Sequence, residues 1–220
     1  MKDQYQKASF SQSGEDLIVD FLFGAIGMVN PTYIDIGAYH PYEYSNTALL
    51  YSKGSRGLNI EPNPENFKLF LTERPEDINL NIGIGIKPTL LDYYQMDAPT
   101  LNTFSKDEAE SFVKDHGHKI FKTTKIKVNN LDNVINEYLK GKFPDFMSLD
   151  IEALDMLILK SIDFDESYPV IICVETISYS NSGSGLKNKV LIEFLENKGY
   201  MVYGDTYINT IFIKKEIWIK

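Results

Sequence analysis

Apolar residues in this chain gather in two ways: short unbroken runs, and longer stretches where they recur every three or four positions. Unbroken runs suit strands covered on both faces. Residues 32–37, 57–61, 78–84, 145–151 and 170–176 have this character, and 90–96 and 123–128 are weaker strand signals. Residues 200–205 and 210–214 predict a closing antiparallel pair around Thr206-Tyr207-Ile208-Asn209. Helical spacing lies between the runs. Ser13-Gly14-Glu15-Asp16 precedes apolar Leu17, Ile18, Phe21 and Leu22, with Ser13 as cap and an acid three residues on. Asn63-Pro64-Glu65 sets a cap residue before a proline at the first helical position. Ser105 and Glu108 form a capping box for a helix that Gly117 can end. Residues 131–139 and 153–162 continue the pattern. Leu186, Val190, Leu191, Phe194 and Leu195 line one face of a last helix stopping at Gly199.

Strands alternating with helices predict βαβ units and a mostly parallel α/β sheet. The 220 residues suffice for one domain with some elaboration. No repeat or Pro/Gly/Ser linker divides them, and the polar run Ser178-Tyr179-Ser180-Asn181-Ser182-Gly183-Ser184-Gly185 reads as a loop within that domain. Charge removes some partners. With 22 basic and 31 acidic residues the net charge is −9, which argues against nucleic acid and against an anionic membrane surface. Cys173, alone in its type, lies in an apolar run and reads as a buried hydrophobe, so neither an internal disulfide nor a cysteine zinc site is expected. The N-terminus is polar, with no signal-peptide core, and no apolar stretch is long enough to span a membrane. The expected compartment is the cytoplasm.

In open parallel sheets, ligands bind beyond the carboxyl ends of the strands. The first strand ends Ile34-Asp35-Ile36-Gly37-Ala38-Tyr39-His40-Pro41. A pyrophosphate-binding turn wants GxGxxG; only Gly37 is present, followed by bulky side chains. An acid before one tight-turn glycine suits a ligand with a cationic amino-acid end: Asp35 to hold the ammonium, Gly37 to let backbone come close. The second strand delivers Glu61, an acceptor for ribose hydroxyls, with Pro62 behind it. The third ends in small residues past Asn81 and Ile82, where a flat adenine has room. The fourth delivers Asp150 and Glu152, and the fifth Glu175. Paired acids serve as a general base or hold a metal.

These blocks, with Phe10-Ser11-Gln12-Ser13-Gly14-Glu15-Asp16, Ser45-Asn46-Thr47, Leu101-Asn102-Thr103-Phe104, Ser148-Leu149-Asp150-Ile151-Glu152 and Tyr207-Ile208-Asn209-Thr210-Ile211-Phe212, resemble the FkbM family of S-adenosylmethionine-dependent methyltransferases over nearly the whole chain. The resemblance implies a Rossmann-like, seven-stranded class I methyltransferase sheet with a C-terminal antiparallel hairpin and helices on both faces. It places a helical extension at 1–30 before a core at 31–220. It implies S-adenosylmethionine held by Gln12, Ser13, Glu15, Asp35, Gly37, Ala38, Tyr39, Asn46, Glu61, Pro62, Asn81, Ile82 and Asp150. Methyl transfer to oxygen is the implied chemistry, with a small polar acceptor: a sugar, nucleotide-sugar or glycan precursor. One departure is Ala153, where the family usually has glycine.

Asp150, Glu152 and His40 are the candidate bases for the acceptor hydroxyl. Asp150, Glu152 and Glu175 are hard oxygen ligands, so Mg²⁺ or Mn²⁺ is a variant of the same reading. Gln12, Ser13 and Glu15 either close over the cofactor or form a capped helix on the sheet edge. His116 and His118 read as surface residues at a helix end. A homodimer is compatible with the sequence. Two other classes compete: a non-catalytic binding module on the same fold, and a small NAD-dependent oxidoreductase, against which the missing GxGxxG argues.

Overall fold

The computed structural model describes residues 5–151, 154–177 and 185–219. Seven strands form the main sheet: β1 (Tyr33–Ile36), β2 (Gly57–Ile60), β3 (Ile78–Leu80), β7 (Phe146–Leu149), β8 (Ile171–Glu175), β9 (Tyr200–Asp205) and β10 (Asn209–Lys214). Their order is β3-β2-β1-β7-β8-β10-β9. β10 runs antiparallel to both neighbours, and the other pairings are parallel. This is the predicted mostly parallel sheet with its closing hairpin. β1 and β7 are buried at every position, which is why their sequences do not alternate.

Each face of the sheet carries its own core. On one, Ile34, Ile36, Leu58, Ile60, Met147, Leu149, Ile172 and Val174 pack against α5 (Leu131–Leu139), α6 (Asp155–Ser161) and α7 (Lys189–Asn197). On the other, Tyr33, Phe146, Ile171, Cys173, Ile211 and Ile213 meet Val19, Leu22 and Phe23 of α1 (Glu15–Ala25) and Leu50 of α2 (Ala48–Ser52). Burying each of the three α1 side chains contributes about 1.5–3 kcal/mol.

Local signals located most elements well. Asn63 caps α3 (Pro64–Glu73) by accepting from the Glu65 N–H at 3.0 Å, and Ser105 caps α4 (Lys106–His116) from the Glu108 N–H at 3.2 Å. Gly117 ends α4 with φ 77°. Three expectations change. Leu186 precedes α7 and is exposed, as is Val190, so the inward face of that helix is Leu191, Phe194 and Leu195. Ser13 does not cap α1: the Gly14 and Asp16 N–H groups go to Ser11 Oγ, while Asp16 accepts from Ser9 Oγ, Ser11 Oγ and the Phe10 N–H. The run 78–84 is not one strand. It stops at Leu80, and Gly83–Ile84 (β4) belongs to a second sheet with β5 (Thr89–Met96) and β6 (Ile120–Asn129), ordered β4-β6-β5. The break falls at Asn81, whose Nδ2 donates to the carbonyls of Glu61 and Pro62 instead of leaving the backbone straight. This small sheet meets the carboxyl end of β2, where Gln95 of β5 donates to Asn63 Oδ1 at 3.1 Å. Among the described residues no helix is long and apolar enough to cross a membrane.

Candidate functional site

At the carboxyl edge of β1 and β2 one unit is built from two backbone turns and a carboxylate. The N–H groups of Gly37 and Ala38 both donate to the Ile60 carbonyl at 3.0 Å. Glu61 then reaches back: its Oε2 accepts from the Tyr39 N–H at 2.7 Å, and its Oε1 accepts from the Asn63 N–H at 2.7 Å. Gly37 has φ 81°, and a Cβ there would lie 1.9 Å from the Asp150 carbonyl oxygen, so only glycine lets β1 and β7 turn side by side. Glu61 is 4% exposed. Burial pushes its carboxyl up to about 8, against the two N–H bonds that favour the anion, and the nearby charge of Asp35 adds to the rise.

A cleft opens beside this unit, with ≈ 700 Å³ of empty volume including open solvent. Gly37, Tyr39, Glu61, Pro62 and Asp150 line it from the main sheet; Gly83, Ile84, Tyr93, Asn102, Thr103 and Phe104 line it from the small sheet and the 3₁₀ turn before α4. Tyr93 and Phe104 have ring centroids 4.8 Å apart. None of the described lining residues is Lys or Arg.

Asp150 follows β7 and opens onto the cleft. The strand ends packed around it push its carboxyl up to about 6, a hydrogen bond with Glu175 works the other way, and Asp35 raises it again. Because the side chain also meets the open cleft, water there offsets part of the rise. Asp155, buried at the start of α6, is pushed to about 7 by burial and then by the charge of Asp150. Glu152 and Ala153 lie outside the described residues, as does the polar loop at 178–184. Among the described residues no three His, Cys, Asp or Glu side chains are gathered as a metal site.

Asp35 lies beneath the turn rather than along the cleft. It is 4% exposed and accepts from Thr47 Oγ1 at 2.7 Å. Burial raises its carboxyl; hydrogen bonds from Thr47 and Ser148 and the charge of Arg74 oppose that. Asn46 donates to Ser148 Oγ at 3.2 Å and so ties the returning loop to β7.

Other predicted residues are employed elsewhere. His40 uses Nδ1 to accept the N–H groups of Tyr42 and Glu43, and so shapes its own loop. Asn81 holds the backbone of 61–62, and Ile82 packs into the core. Glu15 is fully buried and accepts from Thr206 Oγ1 and Asn209 Nδ2, pinning α1 to the β9–β10 turn; Gln12 and Ser13 are exposed. His118 pairs with Asp97 at 3.0 Å, and neither lines the cleft. Sequence reasoning missed Tyr93, Asp155 and the Thr47 contact. It noted Asn102 and Phe104 only as part of a family block. Tyr39 and Tyr44 both have left-handed backbones, φ 55° and 56°, and their rings stack 6.2 Å apart. Such strain in a non-glycine residue costs on the order of 1–3 kcal/mol and gathers at functional sites.

The mostly parallel seven-stranded α/β sheet with its C-terminal antiparallel hairpin, a cleft beyond its carboxyl edge, an acid–glycine turn and a buried acid on the next strand give this domain the class I methyltransferase architecture. The sequence matches the family described as "Methyltransferase FkbM domain" over residues 35–202, and the chain belongs to that family. No curated protein matches it. Similar solved structures include monomeric WbdD (14% identity, TM-score 0.44, covering 96% of this chain and 42% of that one). They also include precorrin-6y C5,15-methyltransferase from Geobacter metallireducens GS-15 (13%, 0.41, 97% and 95%) and the 16S rRNA methylase ArmA (11%, 0.39, 91% and 82%). The chain thus spans less than half the length of the WbdD chain it resembles.

Proposed function

We propose that this chain transfers a methyl group from S-adenosylmethionine to a hydroxyl of a small, uncharged polar acceptor such as a sugar or glycan precursor. The observation that carries the reading is the Gly37–Glu61 unit. All three N–H groups of the turn are already engaged, two by the Ile60 carbonyl and one by Glu61, so the turn offers nothing to a phosphate. Each Glu61 oxygen takes a single N–H, which leaves hydrogen-bonding capacity for the two hydroxyls of a ribose: the carboxyl accepts from one and, where it holds its proton, donates to the other. The absence of Lys or Arg from the described lining speaks in the same direction, and weighs against a nucleotide-sugar acceptor or an NAD pyrophosphate.

S-adenosylmethionine would supply an electrophilic methyl group on a sulfonium centre. The rest falls to this chain. Pro62, Ile84, Tyr93 and Phe104 give an apolar slot for a flat base. The Tyr39–Tyr44 stack gives an aromatic face for a sugar ring beside the cleft. Asp150 accepts the proton of the acceptor hydroxyl, and the hydrogen bond with Glu175 spreads the charge before that transfer. Alignment of acceptor and donor across the cleft provides much of the acceleration. A metal on Asp150, Glu152 and Glu175 is the weaker variant, because the Asp150–Glu175 hydrogen bond would have to be broken to admit it.

Titration calorimetry with S-adenosylhomocysteine, with NAD as control, tests the cofactor. Binding of the former alone supports the reading, and absence of binding by folded protein refutes it. Methyl transfer from labelled donor to a panel of sugars, lost in Asp150→Asn with cofactor binding retained, separates an enzyme from a non-catalytic binding module.

A further inference from the structure

Beneath the Gly37 turn a hydrogen-bond chain runs from a fully buried guanidinium to Asp35. Arg74 is 0% exposed. Its Nε donates to Asp77 Oδ2 at 2.9 Å, its Nη2 to the Tyr33 hydroxyl at 2.7 Å, and its Nη1 to Thr47 Oγ1 at 3.0 Å. Thr47 in turn donates to Asp35 Oδ2 at 2.7 Å. The direction is fixed at both ends, because a guanidinium only donates and a carboxylate only accepts. Thr47 has one proton, so it must relay rather than bridge at random. Hydrogen bonds in series polarise one another, and the Thr47 hydrogen bond and the Arg74 charge favour the ionised form of Asp35 against burial, which remains the larger influence and raises its carboxyl.

We propose that Thr47 and Arg74 are positioning residues for the methionine end of the cofactor site, holding Asp35 as an aimed anion below Gly37. The inference rests on the proposed cofactor. Asp35 does not line the cleft itself, so its effect on a ligand's ammonium depends on its charge and its orientation. Arg74 neutralises Asp77 directly and Asp35 through Thr47, whose hydroxyl is the one link between them. Thr47 is itself fully buried, and its loop is held independently by Asn46 on Ser148 and by the Ser45 N–H on the Phe10 carbonyl. Removing the hydroxyl therefore breaks the relay without releasing the loop.

The test compares two ligands that share adenine, ribose and thioether. S-adenosylhomocysteine carries the amino-acid end; 5′-methylthioadenosine lacks it. In Thr47→Val, calorimetry should find S-adenosylhomocysteine binding weakened about 10–100-fold, the loss expected for a hydrogen bond to a charged group. Binding of 5′-methylthioadenosine should change by less than about 2-fold, and Thr47→Ser should restore the wild-type ratio. Thr47→Cys, a weak donor of similar size, should fall between, and replaces Thr47→Val if that chain does not fold. Equal weakening of both ligands, or no weakening of either, overturns the inference. A wild-type chain that binds 5′-methylthioadenosine and S-adenosylhomocysteine equally well also overturns it. A wild-type chain that binds neither overturns the cofactor reading and this inference with it.

Discussion

Arg74→Met is the perturbation whose cost follows most directly from the structure. Arg74 has no exposed surface, and its guanidinium serves Asp77, Tyr33 and Thr47 at once. Asp77 keeps other donors when the arginine goes: the Tyr33 hydroxyl, the Gly57 N–H and Asn59 Nδ2. What it loses is its counter-charge, at a site only 8% exposed. Removing one partner of a buried pair costs about 3–5 kcal/mol, against about 0–1 for an exposed pair. In a chain of this length each kcal/mol lowers the melting temperature by about 2–4 °C, so the expected fall is about 6–20 °C. Arg74→Lys should lie between, since one ammonium cannot reach three acceptors arranged for a planar fork. The double variant Arg74→Met/Asp77→Asn should recover part of the loss, because the stranded charge is gone. Urea unfolding at neutral pH, followed by circular dichroism, reads all four chains. A loss below about 1 kcal/mol in Arg74→Met, or a double variant no better than the single, refutes the account.

Glu61→Gln should weaken S-adenosylhomocysteine binding about 10–100-fold, and it should also change the pH dependence of folding. The folded chain holds the Glu61 proton up to about pH 8, whereas the unfolded chain releases it in the ordinary carboxylate range. Wild-type stability therefore falls as pH rises through that window, and Glu61→Gln should gain on it by up to a few kcal/mol between about pH 5 and about pH 8; parallel curves would exclude a buried proton there. Gly37→Ala should abolish cofactor binding and lower stability by several kcal/mol, since the new Cβ would lie 1.9 Å from the Asp150 carbonyl oxygen. Gly24→Ala, inside α1 with nothing within 4 Å, should instead stabilise by about 0.5–1 kcal/mol, and thermal melts of the two check both signs. Methyl transfer should survive EDTA; loss of activity that Mg²⁺ restores would show that a metal, not a shared hydrogen bond, joins Asp150 and Glu175.

What the sequence revealed about the fold was mostly what is local. Most strand runs, the caps at Asn63 and Ser105 and the stop at Gly117 depend on near neighbours, and they stand as read; the run 78–84 does not, because it divides between two sheets. Ser13 misled because a serine followed by an acid resembles a cap wherever it occurs. The chain instead uses Ser11 to satisfy the helix N–H groups and buries Asp16 among Ser9, Phe10 and Ser11. At the site, Gly37, Glu61 and Asp150 were legible because strand ends of a parallel sheet converge. Tyr93 was not, because it reaches the cleft from a second sheet whose strands β5 and β6 pair over a separation of about thirty residues, and Phe104, after the 3₁₀ turn, reaches it by packing on Tyr93. Arg74 was invisible for a related reason. An arginine near the end of a polar helix reads as solvated, and only the fold closes Tyr33, Tyr51 and Phe70 around it.

The site's charge balance explains why that arginine is buried at all. Asp35, Glu61, Asp150 and Asp155 converge on one edge, and burial is the first cause of the upward push on each of their carboxyls. Left alone they would repel one another and favour the neutral forms. The chain offsets this differently at each position: two backbone N–H groups for Glu61, a hydrogen bond with Glu175 for Asp150, and the backbone N–H groups of Ile151 and of Asp155 itself for Asp155. Only Asp35 receives a full positive charge, and it does so through Thr47 rather than by contact. An indirect partner leaves part of the negative field unspent, which is what a site for a ligand with a positive end requires. Direct pairing of Arg74 with Asp35 would cancel that field within the protein.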